Sequence, residues 1–291
     1  MTPEEEIKQQ GIQRGADQVG IASVADINKY APSGHRPDDI LMGAKNVIVF
    51  AGRVSPRGAW RSPDYRTHYA NRDYPRIRTG IAMAVARFIE NKYGYYSLGQ
   101  IPPAIGFNPS MSLKLCAEMA GLGTRSLAGA ILLNYNLGLM NLAVCITTMP
   151  LKADGSMKEP VCPHPSCVKL WEKQRTVPCL ETCPECLSGE LEEGRIKWMR
   201  YDRRICSTRA QNQGMGALQR MLLEGANEAD PEKRRSILLG SFSRGAVESI
   251  ATGNVTGQCS ECMRVCPIHR EAQMLKPHAP DVGAQWYRKS G

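Results

Sequence analysis

Nine of the chain's eleven cysteines fall between Cys162 and Cys266, in a sequence of 291 residues. Crowding of this kind admits two answers: a disulfide framework in an oxidising compartment, or thiolates gathered on metal in a reducing one. The count is odd. The N-terminus, MTPEEEIKQQ, is acidic and polar, with neither a basic region leading into an apolar stretch nor a twin-arginine pair. A cytoplasmic location is therefore expected. Disulfides do not persist there, so metal or catalysis becomes the reading of the crowded cysteines. Cys116 and Cys145 stand apart, in apolar surroundings (SLKLCAEMAG and NLAVCITTM), and are expected to be small hydrophobes of a core.

The longest apolar stretch, Ala128 to Thr148, is interrupted by Asn134, Asn136 and Asn141, so it predicts a buried element and no membrane span. Thr2, Pro3 and Glu4 to Glu6 read as the start of a helix. Residues 18–24 and 45–51 read as strands, and 139–149 as a central strand. Helical spacing of Ile81, Val85, Phe88 and Ile89 predicts a helix over 78–93 with one buried face. A second helix is expected over 110–120, stopped by Gly121 in the left-handed conformation. The proline-rich stretch from Pro150 to Pro165 is a natural boundary, and helices are expected near 190–205 and 215–225. No GxxxxGK[ST], HExxH or GxSxG motif is present, which argues against those hydrolytic chemistries.

The most specific pattern is Cys259-Ser-Glu-Cys262-Met-Arg-Val-Cys266-Pro267. Its C-x2-C-x3-C-P spacing resembles the end of the bacterial ferredoxin motif, in which the last cysteine reaches a neighbouring cluster. Cys179-Leu-Glu-Thr-Cys183-Pro184 repeats the C-x3-C-P ending. By the crossed ligation of two-cluster ferredoxins, Cys162, Cys167, Cys179 and Cys266 would hold one [4Fe-4S] cluster, and Cys183, Cys206, Cys259 and Cys262 the other. Cys186 is left over and is an alternative to Cys162 or Cys167. Two zinc ions are the other possible occupants of eight thiolates. The formal charge of +9 would fall to roughly +5 with two such clusters bound, leaving a moderately basic chain.

YDRRICST followed by GQCSECMRVCPIHR resembles the second cluster motif of epoxyqueuosine reductases and the related corrinoid-dependent reductive dehalogenases. ADQVGIA, GAKNVIVFA, IPPAIGFNPSMSLKLCAEMAGLGTRSLAGAILLNYNLG and LAVCITTMPL are similar to stretches of the same superfamily's core. The resemblance covers about residues 15–270. It implies an α/β (α+β) chain, with a nitroreductase-like core at 1–155 followed by a ferredoxin-like domain at 156–291. The core would hold a cobalamin, and the clusters of the second domain would reduce its cobalt for reductive cleavage of a small organic substrate. Members of this group pair a tyrosine with a nearby cation as proton source, which makes Tyr96, Tyr135 and Arg125 candidates. Asn108, Ser110, Gly121 and Gly123 are candidates for holding the cofactor, and a plain helix cap explains the first two equally well. The acidic residue that precedes AGLG in epoxyqueuosine reductases falls at Phe107 or Asn108 here. A corrinoid-free electron-transfer or accessory iron–sulfur protein is the alternative reading.

The basic run Arg195, Lys197, Arg200, Arg203, Arg204 and Arg209, interleaved with Trp198 and Tyr201, is expected on one helical face. Docking of a ferredoxin or flavodoxin-like electron donor is the favoured use. Contact with tRNA, which would make the chain a tRNA-modifying reductase, is the other.

Overall fold

The computed structural model describes residues 1–53, 57, 74–99, 110–129, 132–202, 204–206, 214–241, 243, 244, 247, 250 and 261–274. Helix α1 (Pro3–Gln13) starts as the sequence suggests: Thr2 Oγ1 accepts from Glu5 N at 3.2 Å, and the Glu5 carboxylate accepts from Thr2 N at 2.8 Å. Strand β1 (Gln18–Ser23) pairs with β2 (Asn46–Arg53), which pairs with the ten-residue β6 (Gly138–Thr147). β6 is central. It also carries β5 (Leu132–Asn134) at its start and β3 (Ser97–Leu98) at its end, and β4 (Thr124–Arg125) closes the edge beside β5. Every pairing in this sheet is antiparallel, so within the expected class the core falls on the α+β side.

Helices cover both faces, which explains the unbroken apolar run of β2. Ile48 and Phe50 face α1 and the long α4 (Tyr74–Tyr93), packing with Ile7, Val85 and Ile89. Val47, Val49 and Ala51 point the other way, toward α2 (Val24–Asn28) and α5 (Leu113–Met119). A short α3 (Pro37–Ile40) follows α2. Cys116 and Cys145 lie fully buried, one in each apolar layer, as expected of core residues. Ser112 is the residue that caps α5, accepting from Leu115 N at 3.3 Å, and the helix stops where Gly121 turns to φ +69°. Among the described residues no helix is long and apolar enough to cross a membrane.

Beyond β6 the chain is pinned to the sheet by Asp154, whose carboxylate accepts from Ile21 N at 2.7 Å and from Lys8 at 2.5 Å. Short helices follow: α6 (Pro165–Gln174) and α7 (Pro178–Thr182), then later α8 (Gly214–Asn227), α9 (Pro231–Leu239), α10 (Glu261–Arg264) and α11 (Pro267–Ala272). The helix expected near 190–205 is instead a hairpin of β7 (Leu187–Glu192) and β8 (Arg195–Tyr201). The reason is local. Glu193 and Gly194 both adopt positive φ, 49° and 72°, the two-residue turn whose twist suits a hairpin. Leu187 and Leu191, an even number of positions apart, bury one face of the ribbon.

Candidate active site

Three of the short helices open on the same small cavity. Its wall contains His164 and Cys167 from the start of α6, Pro178 and Cys179 from the start of α7, and Cys266, Pro267 and Ile268 from the start of α11, together with Cys162. Each helix has proline in its first turn, where no backbone N–H is lost from the ladder. At Cys266-Pro267 the C-P pair is a helix start, with Cys266 the cap residue and Pro267 the first residue of α11, whereas Cys183 ends α7. Helix N-termini present free N–H groups and positive dipole ends, a favourable setting for thiolates and anionic sulfur. Burial pushes the Cys162 thiol up to about 12 and Cys167 to about 11, and raises Cys179 and Cys266 as well; charge on neighbouring thiols adds to the first three. Metal binding must therefore displace protons from these sulfurs.

Cys183, Cys186, Cys206 and Cys262 pack into the adjoining apolar cluster, and Cys179 and Cys262 belong to the boundary between the two groups. Cys186 does not border the cavity. Its N–H donates to the Cys183 carbonyl at 3.2 Å, and its own carbonyl accepts from Asp202 N at 2.8 Å, which sets it beside the end of β8 and Cys206. Cys259 lies outside the described residues. Among the described residues, no three His, Cys, Asp or Glu side chains gather tightly enough to hold one metal ion. The four thiols border the cavity instead of meeting at a point.

A separate cleft of about 630 Å³ is bounded in part by Arg125. Tyr30, Ala31 and Pro32 form one side, Leu115 and Met119 the other, and Arg125 stands inside with its Nε 2.9 Å from Glu118 Oε2. Arg125 belongs to this cleft, while Ser126, Leu127 and Ala128 immediately after it line the cysteine cavity. The two spaces are thus separated by one short segment, at most about 10 Å of extended chain.

The other proposed proton-source residues are not brought to it. Tyr96 lies at the end of β6 and Tyr135 in the turn before its start, so the length of the strand, about 30 Å, separates them. They are 75% and 59% exposed. A Cβ on Gly121 would stand 2.6 Å from the Gly155 carbonyl oxygen, and one on Gly123 would stand 2.5 Å from that of Leu133. Close backbone approach accounts for both glycines. Ser110 precedes the true cap, Ser112, and Asn108 lies outside the described residues. Arg195, Lys197 and Arg200 sit on β8 and not on a helix face, and Lys197 pairs with Glu192 at 2.9 Å and Glu190 at 3.8 Å. Arg203 and Arg209 are outside the described residues. Glu118, Tyr30 and His35, which line the cleft, escaped sequence reasoning because no motif marks them.

No protein-family model and no curated protein matches the sequence. Solved structures do. An epoxyqueuosine reductase from Streptococcus thermophilus is 19% identical, with a TM-score of 0.56, over 93% of this chain and 67% of its own. An epoxyqueuosine reductase bound to an epoxyqueuosine-modified tRNA-Tyr stem loop is 18% identical, with a TM-score of 0.51, over 92% and 65%. A reductive dehalogenase whose structure suggests a mechanism for B12-dependent dehalogenation is 18% identical, with a TM-score of 0.50, over 92% and 37%. The chain therefore shares the fold of these solved structures. It spans about two thirds of the length of the epoxyqueuosine reductases and little more than a third of the dehalogenase.

Proposed function

We propose that the chain is a cytoplasmic iron–sulfur oxidoreductase of this superfamily, with a nitroreductase-like core at 1–155 and a ferredoxin-like unit at 156–291 carrying two [4Fe-4S] clusters. The observation behind the reading is that Cys162, Cys167 and Cys179, together with Cys266 from nearly ninety residues further on, border one cavity at three helix N-termini. The donor set fits. Four thiols spread round a cavity suit a multi-atom cluster better than zinc, whose bonds of about 2.3 Å draw four sulfurs to a point. Cys183, Cys206, Cys262 and Cys259 would hold the second cluster, with Cys186 now the competitor for a place in that set.

When bound, the clusters supply one-electron transfer. The chain's own groups do the rest. The apolar wall of Leu127, Ala128 and Leu133 keeps water from the thiolates. Arg125 uses its Nε to hold Glu118, and its remaining N–H donors can orient a polar or anionic substituent of a small organic substrate in the cleft. A cobalamin is the further group that the resemblance implies, and a corrinoid-free electron-transfer protein is the second reading. The proposed partner is a ferredoxin or flavodoxin-like electron donor. Exposed Trp198 and Tyr201 beside Arg195 and Arg200 offer tRNA an alternative surface, which a gel shift weakening steeply with salt would reveal.

The test is metal analysis and a visible spectrum of protein purified without oxygen, then incubated with hydroxocobalamin and desalted. About eight irons per chain supports the reductase. Retained corrinoid adds the cofactor, iron alone moves the reading to electron transfer, and zinc refutes both.

A further inference from the structure

The indole Nε1 of Trp171 is fully enclosed and has no hydrogen-bond acceptor among the described residues. Trp171 lies on α6 four positions after Cys167, so the two share a helix face. It packs against the apolar cluster that contains Cys167, Cys183 and Cys186, whose members are otherwise Leu, Val, Ile and Met side chains. Among the side chains of that cluster only sulfurs can accept a hydrogen bond, and a cysteine sulfur accepts far better once metal binding has made it a thiolate. A donor N–H left bare in an apolar interior is costly, and it gains its partner when the neighbouring sulfur becomes anionic.

We infer that Trp171 donates its indole N–H to a sulfur of a bound cluster, either a ligating thiolate or a sulfide, and thereby raises that cluster's reduction potential. The inference rests on the iron–sulfur reading above. The couple is [4Fe-4S]2+ plus one electron, from dithionite in the titration, giving [4Fe-4S]+. The reduced form carries one more negative charge, so a hydrogen bond to sulfur stabilises it more than the oxidised form. Removing the donor must make the cluster harder to reduce.

The experiment is a redox titration, followed by electron paramagnetic resonance, of the iron-loaded protein and two variants. One is Trp171→Phe. The other carries 3-benzothienylalanine at position 171, which keeps the shape of indole and replaces N–H by sulfur. Both variants are expected to retain the parent's iron and to shift one of the two potentials downward by about tenfold in the reduction equilibrium, or about 59 mV for one electron. Pulsed resonance of the reduced parent should also show an exchangeable proton coupling that both variants lose. Unchanged potentials at full iron content overturn the inference. So does a shift in the phenylalanine variant alone, since packing and not the N–H would then be responsible. Absence of iron from the parent refutes the cluster reading itself, a result that iron analysis separates from the others.

Discussion

Replacing Gly121 by alanine tests whether the glycine pair after α5 is structural or belongs to a ligand site. Two costs follow from the geometry. The residue sits at φ +69°, where a side chain costs about 1–2 kcal/mol. Its new Cβ would stand 2.6 Å from the Gly155 carbonyl oxygen, a backbone atom that must move, for about 1–3 kcal/mol. Alanine returns about 0.4–1 kcal/mol by restricting the unfolded chain. The net loss is about 1–4.6 kcal/mol, or a fall in melting temperature of about 2–7 °C. Gly121→Asn separates the contributions, because asparagine tolerates the left-handed region yet keeps the Cβ, so it should recover only about 1 kcal/mol. Calorimetry of the parent and both variants gives the shifts. The reasoning is refuted if Gly121→Ala melts with the parent, or if asparagine restores the parent's stability in full, since the Gly155 contact would then count for nothing.

Cys179→Ser should lower bound iron from about eight to about four per chain without removing the second cluster, measured by iron and sulfide analysis. Tyr93 donates to the Glu6 carboxylate, and burial, then that hydrogen bond, push its phenol up to about 12. A group raised on folding contributes stability that is complete below its unfolded value near 10 and disappears as pH climbs through the folded one. Stability should therefore decline between pH 10 and about 12, and absorbance titration should show one late tyrosine that Tyr93→Phe abolishes. Burial also raises the thiols of Cys116, to about 12, and of Cys145. Both should resist iodoacetamide in the native protein at pH 8 and react on unfolding, as read by mass spectrometry.

The sheet was legible where burial dictates sequence. β2 and β6 are enclosed on both faces, so NVIVFAG and LAVCIT had to be apolar and β-branched. The start of α11 was legible because a cap residue followed by proline leaves a visible trace at Cys266-Pro267. The β7–β8 hairpin was not. Its basic residues happen to recur at helical intervals, and only the Glu193-Gly194 turn, with leucines at 187 and 191, carried the contrary signal. The place of Cys186 was not legible, because position along the chain says nothing of the reversal that ties it to Asp202. The Arg125 cleft left no trace because its walls come from the loop after α2 and from α5, which meet only through tertiary packing.

The cavity wall holds one consequence for biosynthesis. Three of its thiols are translated together, but Cys266 arrives roughly a hundred residues later, which at about 5–20 residues per second leaves them waiting about 5–20 s. During that interval the half-built pocket exposes three sulfurs to oxidants and to stray metal ions. Loading of the proposed cluster must then wait for Cys266, and anything that stalls the ribosome between the two halves lengthens the window for damage.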